Sequence, residues 1–259
     1  MSRERIYRTE AVILNRTDFG EADRLLIFFT PHRGKLRAVA KGARKPSSRK
    51  SGHLELFSHS RLMLAKGRNL DIITQAETVE PFLPLRKDLL RTTYAYYAAE
   101  LTDRFVGDQD ENRPVFDLLL AVLGWLCQTD DLALAARYFE LRLLALVGYQ
   151  PQFFQCVNCQ TEIEPLINFF HPGEGGVLCP RCGEGRSGTK PLSLNALKVL
   201  RFLQTRAYDT VRLLRVRPPL HAELEAIMLH YITYTLERDL KSVDFLHRLQ
   251  SQMRAAGKE

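Results

Sequence analysis

Four of the five cysteines constrain the fold of this chain more than any other feature of its sequence. They read Cys156-x-x-Cys159, nineteen intervening residues, and then Cys179-x-x-Cys182. Each Cys-x-x-Cys turn directs two sulfurs to one tetrahedral ion, so the spacing predicts a zinc ribbon with one structural Zn²⁺ per chain. Two disulfides or four free thiols are the alternatives. A site closed by four cysteines leaves no ligand position for a substrate, and the predicted role is structural.

The first 80 residues predict a small β-barrel. Five segments rich in β-branched and aromatic residues alternate between apolar and polar positions, and Gly- or Pro-containing breaks separate them. They read IYRTEAVILNRTD, DRLLIFFT, GKLRAVAKGA, ELFSHSRLMLAKG and NLDIITQAETVEPF. Five short strands without a long helix favour an OB-fold, the commonest such barrel that binds nucleic acid. Strand order is not readable from one sequence, so an SH3-like barrel stays open.

Helical periodicity replaces the strand pattern after Pro81 and Pro84. Apolar residues then recur every three or four positions, with Asn112 and Ser193 placed as helix N-caps. The predicted class is therefore α+β: a five-stranded OB-fold barrel, then an α-helical domain with the ribbon inserted. The expected domains are 1–81 (OB-fold), 82–152 (helical, first part), 153–190 (zinc ribbon) and 191–259 (helical, second part).

The positive charge of the chain is confined to its N-terminal third. Residues 1–80 hold 16 of the 37 Lys and Arg and 9 of the 30 Asp and Glu, so this segment carries the whole net charge of +7. Such asymmetry indicates a partner of dense negative charge, most simply nucleic acid. A solvated basic surface that only aids solubility is the alternative.

The basic residues concentrate between positions 33 and 50. Arg33, Lys35 and Arg37 alternate and are expected on one strand face, with the adjoining loop supplying more cations. The predicted DNA-binding residues are Arg33, Lys35, Arg37, Lys41, Arg44, Lys45, Arg49 and Lys50. Cations at this spacing neutralise phosphates without reading sequence. Few aromatic side chains lie nearby, which favours backbone-led binding to single- and double-stranded DNA over base stacking.

Catalytic motifs are not found in the sequence. GEGRSGTK (183–190) ends Gly-Thr-Lys and follows a cysteine knuckle, so it does not match a phosphate-binding loop. There is no HExxH, no GxSxG and no paired carboxylate cluster for magnesium. We therefore expect no enzyme activity and no nucleotide cofactor. The N-terminus lacks a signal-peptide pattern and the apolar runs are too short to span a bilayer, so we expect a cytoplasmic protein without a membrane partner.

Three segments of the predicted barrel have counterparts in a known family. They read GEADRLLIFFTPHRGKLRAVAKGARKPSSR (20–49), GHLELFSHSRLML (52–64) and GRNLDIITQAETVE (67–80). With these segments the chain resembles the bacterial RecO family of recombination mediators. The distal half is similar to that family in kind, since it combines a helical bundle with a cysteine ribbon.

The resemblance implies a DNA repair and recombination mediator that is not an enzyme. It implies binding of single- and double-stranded DNA, annealing of complementary strands and, with RecR, loading of RecA on DNA coated by the single-stranded-DNA-binding protein (SSB). The implied partners are RecR and the acidic C-terminal tail of SSB, and the implied location is the cytoplasm at the nucleoid. An RNA- or ribosome-associated OB-fold and zinc-ribbon protein, or a metal-dependent nuclease, are the alternatives.

Overall fold

A computed structural model of the chain describes residues 5–256. These residues divide into two compact units. The first unit contains residues 5–128 and 242–256, and the second contains residues 129–241. The first unit is thus built from both ends of the chain. The four-part domain division expected from the sequence stays a prediction.

Five strands of the first unit form a closed barrel. They are β1 (Ile6–Phe19), β2 (Asp23–Thr30), β3 (Gly34–Ala40), β4 (His59–Ala65) and β5 (Asp71–Glu80). The strand order is β1-β2-β3-β5-β4, with β3 and β5 parallel and the other neighbours antiparallel. This closed five-stranded arrangement with a crossover between β3 and β4 agrees with the predicted OB-fold. Two register pairs, Ala38 with Asp71 and Val39 with Ile72, make up the short contact between β3 and β5.

The barrel interior explains the apolar alternation of the strands. Side chains at every second position point inward, because successive residues of a strand face opposite sides. The buried interior residues include Ile13, Leu26, Phe28, Ala38, Leu62 and Ile73. Ala43 and Leu54, from the connection between β3 and β4, belong to the same apolar core. That connection is therefore anchored to the barrel at two points.

The helices have the following bounds. They are α1 (Pro84–Lys87), α2 (Leu89–Phe105), α3 (Arg113–Gln128), α4 (Leu132–Leu146), α5 (Pro180–Gly183), α6 (Leu194–Thr205), α7 (Tyr208–Val211), α8 (Pro218–Leu236) and α9 (Lys241–Ala256). The predicted caps are confirmed: the Asn112 Oδ1 accepts from the Val115 N–H at 3.1 Å, and the Ser193 hydroxyl accepts from the Ala196 N–H at 3.2 Å.

The first unit also contains the helices α2, α3 and α9. Phe29 of β2 contacts Phe116 of α3 with ring centroids 6.0 Å apart, so α3 covers part of the outer barrel surface. Ser242, at the start of α9, donates to the Glu100 carboxylate of α2 from its backbone N–H at 2.9 Å and its hydroxyl at 2.6 Å. The sequence predicts a final helix over 218–240, whereas the structure has two helices, α8 and α9, in this region. The break occurs because Glu237 adopts a left-handed conformation (φ 52°) that ends α8.

The second unit combines helices with a small sheet. Its strands are β6 (Asn168–His171), β7 (Gly176–Leu178) and β8 (Lys190–Leu192), arranged β7-β6-β8. Phe170 of β6 contacts Phe153 and, edge to face, Tyr231 of α8, which fixes the sheet against the helices of this unit. Glu223 of α8 accepts from the backbone N–H and the hydroxyl of Ser193, both at 2.7 Å. None of the helices within residues 5–256 combines the length and apolar content needed to cross a membrane.

Candidate metal centre and nucleic-acid interface

The four cysteines predicted as ligands lie together in the second unit. The sulfurs of Cys156, Cys159, Cys179 and Cys182 are all within 4.8 Å of one another. A tetrahedral ion with metal–sulfur bonds of about 2.3 Å separates its sulfurs by about 3.8 Å. The Cys159 and Cys179 sulfurs are 3.8 Å apart. The donor set and its spacing therefore fit one tetrahedral metal ion, and the predicted ligand set is brought together as expected.

Local backbone geometry brings the two cysteine pairs together. The hairpin between β6 and β7 turns at Gly175, whose φ of +65° favours glycine. The adjacent Gly176 packs so closely that an added Cβ would lie 2.7 Å from the Gln152 carbonyl oxygen. The Val157 N–H then donates to the Val177 carbonyl at 3.0 Å. The Cys156–Cys159 turn is thus held beside β7, the strand that directly precedes Cys179.

Hydrogen bonds around the sulfurs favour thiolates. The Thr161 hydroxyl, 3.0 Å from the Cys159 sulfur, and the Thr161 backbone lower the pKa of Cys159 to about 5. Burial raises the pKa of Cys179 to about 11. The Asn158 side-chain amide donates to the Cys182 sulfur at 3.3 Å. Since metal ligation requires thiolates, these donors assist binding of a cation.

Four of the eight predicted DNA-binding residues form an exposed group on the connection between β3 and β4. We call Lys41, Arg44, Lys45 and Arg49 the loop cluster. The Arg44 guanidinium is 3.4 Å from the Asp18 carboxylate and its backbone N–H donates to the Ala22 carbonyl, which holds the loop beside the turn between β1 and β2. The side chains of the other three residues form no ion pair with a residue that the structure describes.

Lys35 and Arg37 have carboxylate partners within the first unit. The Lys35 ammonium donates to the Asp103 main-chain oxygen at 2.7 Å and is 3.1 Å and 3.5 Å from the Asp103 and Asp108 carboxylates. Only 11% of the Lys35 side chain is exposed. Arg37 is more open but its guanidinium is 3.7 Å from the Asp108 carboxylate. Both cations on the outward face of β3 are therefore paired with carboxylates of the same unit, Lys35 in a mostly buried position and Arg37 at the surface.

The segment that carries Asp108 is seated closely on β3. The Gln109 N–H donates to the Lys35 carbonyl at 3.1 Å. Gly34 has a φ of +61°, and a Cβ at this position would lie 2.3 Å from the Asp110 carbonyl oxygen. Glycine is thus required at the start of β3 both for its conformation and for this close approach. Nothing in the sequence pattern indicated that the segment after α2 would lie against β3.

The two remaining predicted residues are separate from the loop cluster. The Lys50 ammonium donates to the Ile73 carbonyl at 3.0 Å and is half-buried. Arg33 precedes β3, whereas Lys41 follows it, and a seven-residue strand is about 20 Å long. Lys35 and Arg37 lie on one face of β3, as expected, and both are near Asp108. The expectation that Arg33 shares this face needs correction, because Arg33 lies on the turn before the strand, over the Tyr7 ring. DNA contact at each position stays a prediction.

Comparisons with known proteins agree across nearly the whole chain. The family description "Recombination protein O N terminal" matches residues 1–82, and "Recombination protein O C terminal" matches residues 86–244. A protein named "DNA repair protein RecO" from Roseiflexus sp. (strain RS-1) is 44% identical over 254 residues, covering 98% of this chain and 89% of that protein. Proteins of the same name from Dehalococcoides mccartyi (strain BAV1) and Desulforamulus reducens are 36% and 38% identical, covering 96% and 95% of this chain and 98% and 95% of theirs.

Proposed function

The chain belongs to the RecO family of DNA repair proteins, and from this premise we propose that it is a strand-annealing recombination mediator rather than an enzyme. In this proposal it binds single- and double-stranded DNA and anneals complementary strands without ATP. Together with RecR, it helps to load RecA on DNA coated by SSB. The proposed protein partners are RecR and the acidic C-terminal tail of SSB, and the proposed location is the cytoplasm at the nucleoid.

The loop cluster is the observation that carries this proposal. It presents four exposed cations on a connection that Ala43 and Leu54 anchor in the barrel core. Three of them, Lys41, Lys45 and Arg49, have no ion-pair partner among the described residues. Unpaired lysines and arginines on ordered structure neutralise phosphates and release counterions, which gives affinity for any sequence. Because the two cations on the outward face of β3 are already paired, the loop, rather than the strand, is the main proposed DNA contact.

Annealing follows from charge neutralisation. Two strands repel each other through their phosphates, and this repulsion is reduced where a cationic surface replaces their counterions. Base pairing then drives the reaction without an external energy source. A surface that contacts phosphates alone leaves the base edges available for pairing.

The test compares two variants that remove the same charge. Lys41→Gln/Lys45→Gln alters the loop cluster, and Arg8→Gln/Arg61→Gln alters exposed cations of β1 and β4 outside it. Loss of two phosphate contacts to single-stranded DNA lowers the steepness of the plot of log binding constant against log salt concentration, the salt slope, by about 1.4. It also weakens binding about 25-fold in 0.1 M salt. We expect that change, together with slower ATP-free annealing, in the loop variant alone. Equal effects of both variants would contradict the assignment, and tighter binding of RNA of equal length would favour an RNA-binding role.

For the four-cysteine site we propose Zn²⁺ as the structural ion. Four thiolates in tetrahedral spacing are the ligand set typical of structural zinc. We expect one zinc per chain by elemental analysis, released when the thiols are modified. Cys182→Ser, which leaves three sulfurs, is expected to lower the melting temperature, whereas Cys127→Ser, outside the cluster, keeps the zinc. Metal-free protein with an unchanged melting temperature would refute a structural role.

A further inference from the structure

An exposed aromatic ring lies at the end of β1, next to the loop cluster. Phe19 is the last residue of this strand, and 47% of its surface is exposed to solvent. The sequence did not associate this ring with the basic segment, because Phe19 precedes Arg33 by 14 positions. The fold brings the two together.

Register and hydrogen bonds place Phe19 beside the loop cluster. Phe19 is paired with Asp23 across β1 and β2, and opposite residues of an antiparallel pair have Cα atoms about 5 Å apart. The Asp23 carboxylate accepts from the Gly42 N–H at 2.7 Å, and Gly42 directly follows Lys41. The Arg44 guanidinium donates to a main-chain carbonyl of the turn after Phe19 at 3.3 Å. One ordered surface therefore presents both an aromatic ring and cations.

The sheet face that Phe19 shares is partly apolar. Opposite residues of an antiparallel pair, and every second residue along a strand, point to the same side. Thr17 and its partner Leu25 therefore lie on the face of Phe19, and so does Ile27, two positions after Leu25. Leu25 and Ile27 are partly exposed, whereas the opposite face of β2 fills the barrel interior. A flat aromatic ligand suits an apolar surface of this kind.

The acidic residues of this turn leave most of the loop cluster unpaired. Asp18 lies 3.4 Å from the Arg44 guanidinium, and the Asp23 carboxylate is bound by a backbone N–H. Glu21 is exposed and is the remaining carboxylate of the turn. The three loop-cluster residues other than Arg44 have no ion-pair partner in the described part of the chain. An open ring beside such cations is the combination that binds single-stranded nucleic acid, through stacking and phosphate contacts together.

We propose that Phe19 stacks on a base of single-stranded DNA whose phosphates the loop cluster contacts. This inference rests on the proposed DNA-binding function and adds to it a preference for single strands. Every base has an aromatic face, so the contact does not depend on sequence. Within a duplex the neighbouring bases already cover both faces of a base, and Phe19 has no face to contact.

Such stacking is compatible with annealing. Phe19 covers the face of a base and leaves the edge that pairs with the complementary strand available. Once the strands have paired, the stacking contact is lost, whereas the phosphate contacts remain. The protein therefore holds a single strand more tightly than the duplex product, which favours release of the duplex without ATP.

The first test uses the wild-type protein and two single-stranded oligonucleotides of equal length. One carries all its bases, and the other is abasic, with the same phosphates. We expect the abasic strand to bind at least about fivefold more weakly, since one stacked base contributes at least this factor. Its salt slope is expected to be the same, because the phosphates are unchanged. Equal affinities would overturn the inference, because phosphate contacts alone would then account for binding.

The second test changes the ring. Phe19→Ala is expected to weaken single-strand binding at least about fivefold, to leave duplex binding and the salt slope unchanged, and to bind ordinary and abasic strands equally. Phe19→Trp keeps a stacking face and is expected to retain single-strand affinity, with indole fluorescence that single-stranded DNA quenches and duplex DNA does not. Phe245→Ala, which removes a ring of similar exposure from α9, is the control and is expected to bind as the wild type does.

The outcomes separate the inference from the proposed function. If Lys41→Gln/Lys45→Gln lowers the salt slope but Phe19→Ala binds every strand as the wild type does, the inference is wrong and the loop cluster stands as a phosphate site. If the wild-type protein binds no DNA in low salt, the proposed function itself fails. Equal weakening of single-strand and duplex binding by Phe19→Ala would show damage to the whole site rather than loss of stacking, and overturns the inference. So does failure of Phe19→Trp to retain single-strand affinity.

Discussion

Lys35→Met is expected to destabilise the protein without weakening DNA binding. The sequence places Lys35 among the DNA-binding residues, yet its ammonium is held by Asp103 and Asp108. Methionine keeps most of the apolar stem and removes the charge. It therefore tests whether this lysine supports the fold or contacts a ligand.

The expected loss of stability is about 2.5 kcal/mol. The hydrogen bond from the ammonium to the Asp103 main-chain oxygen, 2.7 Å long, is charge-assisted and is worth about 1.5–2 kcal/mol. The two ion pairs add about 0.5 kcal/mol or less each, because the side chains of Asp103 and Asp108 are 38% and 59% exposed and screened by solvent. For a chain of this size the total lowers the melting temperature by about 7 °C.

Calorimetry and a salt titration of single-stranded DNA binding measure the two effects. Lys41→Met is the matched control, because Lys41 is exposed and has no ion-pair partner among the described residues. We expect it to change stability by less than about 0.5 kcal/mol and to lower the salt slope by about 0.7. Lys35→Met is expected to leave the slope unchanged. A Lys35→Met protein with normal stability and a reduced slope would refute the reasoning.

Two further substitutions test the segment seated on β3. Asp108→Asn removes a carboxylate that lies 3.7 Å from the Arg37 guanidinium. Because Arg37 then has no carboxylate partner among the described residues, we expect DNA binding, measured by fluorescence anisotropy, to strengthen about fivefold in 0.1 M salt. Unchanged affinity would show that Arg37 does not reach DNA. Gly34→Ala is expected to lower the free energy of unfolding by more than about 1 kcal/mol in chemical denaturation, because Gly34 has a positive φ and the Asp110 oxygen lies 2.3 Å from the new Cβ. Gly52→Ala, with open space around its Cβ, is the control and is expected to lower it less. Equal losses in the two variants would contradict this account.

The features that the sequence predicted correctly are those set by local pattern. Alternation and turn residues located the five strands, and cap residues located the starts of α3 and α6. The cysteine spacing predicted a cluster that the structure brings within 4.8 Å. In each case the signal lies within a few residues of the chain, or in a ligand chemistry that admits one arrangement.

The features that the sequence did not predict depend on distant residues. Counting cations showed charge near β3, but Asp103 and Asp108, about 70 positions away, neutralise Lys35 and Arg37. Arg33 alternates with these residues in the sequence, yet it lies on the Tyr7 ring at the start of β3. Which cations are available to a ligand is decided by long-range packing, and no period in the sequence encodes it.

The return of α9 to the first unit imposes an order on the biosynthesis of this protein. Ribosomes release a polypeptide from its N-terminus, so the barrel, α2 and α3 emerge well before Ser242 is translated. Until then the hydrogen bonds from Ser242 to Glu100, and from Gln250 to the Tyr94 hydroxyl, are not formed. The first unit therefore cannot complete these contacts until the whole of residues 129–241 has been synthesised.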